Sequence, residues 1–193
     1  MTKLLLAFLT VGQILFYSCH IPHDREIICE DNFKKASDLA YKNPTNKSIL
    51  DSALLIVNRC TQCDSIKKSV TVLKIRLLIT LEKFTGGSNY VDSLELSAFE
   101  YPYKKKLNHD NFVALRFASN KDTISRNNVY RQMTADLEKY ISRNNLNKKE
   151  FEEAFIDLST LKQNLVDTIG NREIDSLKIK YPDNAKFLDF YKH

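Results

Sequence analysis

Cys60 and Cys63 stand three positions apart in the run Arg59-Cys60-Thr61-Gln62-Cys63-Asp64, with Cys29 upstream. That is the spacing of a redox dithiol or of half a zinc site. A reactive dithiol draws its low thiol pKa from a helix N-terminus. Here the pair closes an apolar series, Ile49, Leu50, Ala53, Leu54, Val57 and Cys60, whose three-and-four spacing is helical. The cysteines therefore fall at a helix C-terminal end, where the helix dipole opposes a thiolate. Three readings stay open. Cys29, Cys60 and Cys63 are buried small residues, or a structural disulfide joins Cys29 to Cys60 or to Cys63. Redox catalysis or metal ligation is the third.

The other reactive side chains are dispersed. His20-x-x-His23 lies in a short segment that reads as a tether, and a flexible segment rarely builds a closed ligand set, so no metal site is expected. His109, in a Lys/Asn-rich stretch, reads as solvent-exposed, and His193 is the last residue. Glu152, Glu153 and Asp157 could suggest paired carboxylates, but adjacent residues on a helix diverge by about 100°, and the set reads as a polar face. No HExxH, GxSxG or glycine-rich phosphate loop occurs, which lowers the odds of the commonest hydrolase and nucleotide-dependent classes. Neither a catalytic residue nor a cofactor is expected.

The first nineteen residues carry an address. Lys3 precedes an acid-free apolar run over 4–17, closed by Ser18 and Cys19, the layout of a secretory leader. As a helix that run would reach only about 21 Å, short of a hydrocarbon core of about 30 Å. Phe16, Tyr17, Ser18 and Cys19 resemble the lipobox of bacterial lipoproteins. The resemblance implies that Cys19 is acylated and becomes the mature N-terminus, anchoring the chain in the cell envelope, at the outer membrane, facing periplasm or exterior. The expected organisation is a leader over 1–18, a tether over 19–30 and one domain over 31–193.

The 193 residues hold 29 Lys and Arg against 24 Asp and Glu. The excess is local: residues 100–149 carry eleven basic and five acidic side chains, among them Lys104, Lys105 and Lys106. Such a surface could steer an acidic protein or peptide partner. Interleaved aromatics, Tyr101, Tyr103, Phe112, Tyr130 and Tyr140, could suggest nucleic acid. Export and the core-facing spacing of most of them argue against it, so no nucleic-acid partner is expected.

Only four glycines occur, one of them in the leader, which is few for a β-rich fold with many tight turns. An all-α fold is expected, built of stacked helical hairpins. With Pro22 breaking any earlier helix, the spacing predicts helices over 31–42, 47–61 and 66–84, the last apolar on two faces through Ile66, Val70, Leu73, Leu77 and Leu81 and through Val72, Ile75 and Ile79. It therefore reads as the central helix. Thr85-Gly86-Gly87-Ser88-Asn89 reads as a loop, followed by helices over 90–99, 111–119 and 125–143. Asn147 caps a helix carrying Phe151, Ala154, Phe155, Leu158, Leu161 and Leu165, with Glu150 at its third position. Helices over 172–180 and around Phe187, Leu188 and Tyr191 complete the chain.

Ala53, Cys60, Asp64 and Ser65, with Leu81-Glu82-Lys83-Phe84 further on, resemble the second helix, exit and inter-helix turn of a tetratricopeptide repeat over roughly residues 31–98. That likeness implies a surface that binds another protein or a peptide without catalysis. An irregular helical bundle remains the alternative architecture. An inhibitor or immunity-type lipoprotein, neutralising an envelope-targeted toxin, and a glycan-uptake accessory are the alternative roles.

Overall fold

The computed structural model describes residues 21–60, 63–143, 145–165 and 169–192, with side chains from Ile27 onward. The leader, Cys19, His20 and His193 lie outside the described residues, as does the His23 side chain. Every described regular element is helical, so the fold is all-α. Packing divides the expected 31–193 domain into two compact units, one ending at Lys83 and one starting at Phe84.

In the first unit, α1 (Ile21–Lys42), α2 (Lys47–Val57) and α3 (Lys67–Thr80) follow one another, α2 running on as a 3-10 turn, Asn58–Cys60. Helix α1 packs on α2, and α2 on α3. Helix α1 starts inside the expected tether and not at Asp31, because Pro22 falls in the first turn, where its missing N–H has no intrahelical partner to lose. Asn43-Pro44 ends α1, and the Asn43 side-chain amide donates to the Leu39 carbonyl at 3.2 Å. Asn46 caps α2 by accepting the Ile49 N–H at 3.3 Å. The buried face of α2 is the expected one, Leu50, Ala53, Leu54 and Val57.

Helix α3 departs from expectation. It buries Val70, Leu73, Ile75, Leu77 and Leu78, but Val72, placed in the second apolar stripe, is 67 % exposed. It ends in a Schellman arrangement: Lys83 N–H bonds Leu78 O at 2.8 Å and Glu82 N–H bonds Ile79 O at 3.0 Å. Glu82 takes φ 58°, the left-handed region where glycine is most at ease. The same pattern closes a helix in the second unit, with Lys121 at φ 60°, so these two helix ends are made without glycine.

The second unit comprises α4 (Phe84–Ser93), α5 (Tyr103–Ser119), α6 (Thr123–Arg143), α7 (Lys148–Asn164), α8 (Asn171–Lys180) and α9 (Ala185–Asp189). Successive helices from α4 to α7 pack pairwise. A large hydrophobic core forms here, with Phe151, Ala154, Phe155 and Leu158 of α7 fully buried beside Met133, Leu137 and Ile141 of α6. The Asn147 cap is present, accepting the Glu150 N–H at 3.0 Å.

The expected 85–89 loop is helical, and α5 begins at Tyr103 where a start at 111 is expected. The reason for the glycine pair lies in α5: a Cβ at Gly87 would overlap the ring of Phe112, itself 1 % exposed, whereas a Cβ at Gly86 would meet nothing within 4 Å. Gly87→Ala should therefore destabilise by about 1–3 kcal/mol through overpacking. Gly86→Ala should stabilise by up to about 1 kcal/mol, because the helix gains propensity at no steric cost. Urea melts of the two variants check the opposite signs.

Candidate functional site

The cysteines resolve into a bond and a buried thiol. Cys29 on α1 is disulfide-bonded to Cys63, with Cα atoms 6.2 Å apart, and Cys60 is free. Cys60 is 1 % exposed, its thiol 3.6 Å from the carbonyls of both Cys29 and Ile56. Burial pushes its pKa up, away from the thiolate form. The two cysteines of the C-x-x-C spacing are thus not bonded to each other, and the bond reaches across to α1. Among the described residues no group of three or more His, Cys, Asp or Glu side chains could hold a metal ion.

The lysines expected to face a partner each meet an internal acceptor. Lys104 Nζ lies 2.7 Å from Asp157 and 3.5 Å from Glu153, all three largely shielded from solvent. Lys105 Nζ donates to the carbonyls of Asp92, at 3.2 Å, and Leu94. Lys106 Nζ pairs with Asp110 and, at 3.0 Å, with Asp136. Lys104 and Lys105 are therefore partly withdrawn from solvent, while Lys106 stays exposed beside its carboxylate partners. The carboxylates read as a polar face are drawn into the same packing: Asp157 and Glu153 hold Lys104, while Glu152 accepts from Asn184 at 3.2 Å. His109, expected in solvent, sits on α5 with one third of its side chain exposed, its ring 3.0 Å from Asp110 and 3.5 Å from Asp92.

Between α5 and α6 opens a cleft of about 280 Å³. The one-turn spacing of Tyr103 and Leu107 on α5 and of Met133, Leu137 and Tyr140 on α6 puts these side chains on facing surfaces, where they form an apolar lining. The two phenol rings stand 4.9 Å apart, centroid to centroid. Both hydroxyls point away to internal acceptors: Tyr103 donates to Asp157 at 2.9 Å and Tyr140 donates to Glu150. Burial raises both phenol pKa values, and the neighbouring carboxylates, Asp157 for Tyr103 and Glu150 for Tyr140, raise them further. The phenols stay protonated at neutral pH and offer the cleft their rings.

Lys106, Asp110 and Asp136 complete the lining. Burial works to lower the Lys106 pKa, but its contacts with Asp110 and Asp136 and the charges of both carboxylates outweigh it and raise the value. Gln132 donates to Asp136 Oδ1 at 3.0 Å. Asp136 Oδ2 is buried against the Lys106 ammonium at 3.0 Å, which meets it at a poor hydrogen-bonding angle. The arrangement is suited to holding an apolar group beneath a small charged rim. It contains no nucleophile paired with a base.

The chain matches no family model, no curated protein and no solved structure. The reading of its function rests on residues and geometry alone. Of the expected site residues, the structure brings Lys106 to the cleft, sets Lys104 just behind it through Tyr103 and Asp157, and turns the Lys105 ammonium from α5 to the carbonyls of Asp92 and Leu94 at the end of α4. Leu107, Asp110 and Asp136 were not among the expected site residues. The signal for Leu107 and Asp110 is the one-turn spacing of Tyr103 with Leu107 and of Lys106 with Asp110; Asp136 joins them only through the packing of α6 on α5.

Proposed function

We propose that this protein is a lipid-anchored component of a bacterial envelope that acts as a non-enzymatic binding scaffold, taking a side chain of a protein or peptide partner into the cleft between α5 and α6. The observation that carries the reading is the cleft itself: its volume suits one or two side chains, and its aromatic hydroxyls are already used by internal carboxylates. Grip without chemistry is what such a lining provides. The Ser18-Cys19 junction supports the anchor. The Cys29–Cys63 bond supports export, since disulfides persist in oxidising compartments. No described helix is long and apolar enough to cross a membrane, so in this reading attachment rests on the lipid.

Two measurements test it. Mass spectrometry of the protein recovered from bacterial membranes should find an acylated Cys19 as the first residue; an intact Met1 would remove the anchor. On a peptide array, the full chain should retain a family of peptides sharing one side-chain type, and Leu107→Trp, which fills the cleft while keeping it apolar, should lose them. Equal retention by a folded Leu107→Trp variant would exclude the cleft as the binding site.

A further inference from the structure

The rim of the cleft is unbalanced. Two carboxylates, Asp110 and Asp136, share one ammonium, and that ammonium belongs to a side chain 59 % exposed to solvent. Lys106 is the exposed member of both pairs while Asp110 is only 17 % exposed, so Lys106 leaves cheaply only when another cation takes its place between the carboxylates. Its departure would free Asp136 Oδ2, a buried oxygen that Lys106 reaches at 3.0 Å but at a poor hydrogen-bonding angle. A buried carboxylate oxygen served by a poorly placed donor is under-satisfied, and a better-placed cation would improve on it.

The walls select in the same sense. The Tyr103 and Tyr140 rings face the cleft with their hydroxyls engaged in donating to carboxylates behind them. Such rings attract a cation through their π faces, as Lys104 Nζ, 5.3 Å from the Tyr103 centroid, already does. The apolar floor of Leu107, Met133 and Leu137 accommodates a methylene stem, as the chains of lysine and arginine require. An anionic group would face Asp110 and Asp136 at the rim, and a purely apolar one would leave Asp136 Oδ2 as it is.

From this juxtaposition, and resting on the reading of the cleft as a binding site, we infer that the cleft is specific for a basic side chain of a partner peptide, whose cation replaces Lys106 between Asp110 and Asp136. Lys106 is then an internal placeholder, holding the two carboxylates while the cleft is empty.

The sequence supplies its own reporter, because its only methionines are Met1 and Met133, and Met133 lines the cleft. The full chain labelled at the methionine methyl carbons is titrated with blocked Gly-X-Gly peptides in which X is arginine, lysine, norleucine or glutamate, and the Met133 methyl signal is followed by NMR. Arginine and lysine peptides should bind about fivefold or more tightly than norleucine, the scale of one well-placed ion pair with a cation–π contact. Lys106→Gln, which adds no further methionine methyl, should strengthen the basic peptides relative to norleucine. Asp136→Asn, which keeps the Oδ1 acceptor for Gln132, should erase the preference. Norleucine binding as tightly as arginine would overturn the specificity while leaving the cleft a binding site. Tightest binding by glutamate would overturn it too. A Met133 signal unmoved by all four peptides would overturn both the specificity and the use of the cleft.

Discussion

Replacing Phe155 by alanine should lower the stability of the second unit by about 3–5 kcal/mol, the cost of deleting a large side chain from a core that cannot close over the gap. Phe155 is fully buried, and its ring meets Tyr191 at 4.9 Å, Phe187 at 5.7 Å and Phe151 at 5.9 Å, centroid to centroid. Two of those partners come from the C-terminal segment, so the vacancy would open where α9 and the residues after it dock on α7. The lost contacts include edge-to-face aromatic pairs, worth about 0.5–1.5 kcal/mol each beyond the area they bury. Phe190→Ala is the control: that ring is 86 % exposed, and its loss should change stability by no more than about 0.5 kcal/mol. Guanidinium melts, with amide exchange in α7 to α9, would read the difference. Equal effects of the two substitutions would show that the C-terminal aromatics do not form this core.

Breaking the Cys29–Cys63 bond should cost the first unit about 3–4 kcal/mol in the chain-entropy account, given a sequence separation of 34. The double substitution Cys29→Ser with Cys63→Ser should therefore speed amide exchange in α1 to α3, and dithiothreitol should do the same to the unmodified chain. Cys60→Ala separates this pairing from the alternatives left open by the spacing. It removes a buried sulfur and should cost about 1 kcal/mol by cavity formation, while sensitivity to the reductant stays. If Cys60→Ala instead abolished the effect of dithiothreitol, Cys60 would be a bonded partner.

Helix α7 was legible because every local signal agreed there: an Asn147 cap, an acid at the third position and one apolar face from Phe151 to Leu161. The two-residue shift at the start of α6, Thr123 against 125, comes from Asp122, whose side chain accepts the Ser125 N–H at 2.9 Å and caps the helix two residues earlier. Gly86-Gly87 misled because adjacent glycines are a turn signal, while the ring that requires Gly87 belongs to another helix. Val72 misled for the converse reason. A β-branched residue in a helical period looks like core, and only the arrangement of neighbours leaves it in solvent.

The site was less legible than the fold, for a physical reason. Lys104 looked like part of a free basic surface because Glu153 and Asp157, which hold it, lie on α7, far along the chain. The cysteine pattern named the residues of the disulfide and left its partners open, because spacing along a chain does not set distances between helices. The cleft needed the pairing of α5 with α6, which no periodicity within either helix specifies. Its charged rim shows the same limit: Lys106 and Asp110 are a visible one-turn pair, but Asp136 joins them only across the interface.

The early start of α1 bears on how far the molecule could roam from a bilayer. A flexible tether over 19–30 would behave as a leash with a root-mean-square reach of about 20 Å. In a chain beginning at an acylated Cys19, with helix from Ile21, only Cys19 and His20 would lie between the lipid and α1, and two residues can span no more than about 7 Å. A lipid on Cys19 would then hold the foot of α1 near the headgroups, pivoting more than travelling. A partner would be met in a thin layer above the membrane, and binding there would depend on the density of that partner across the bilayer surface more than on its concentration in the surrounding fluid.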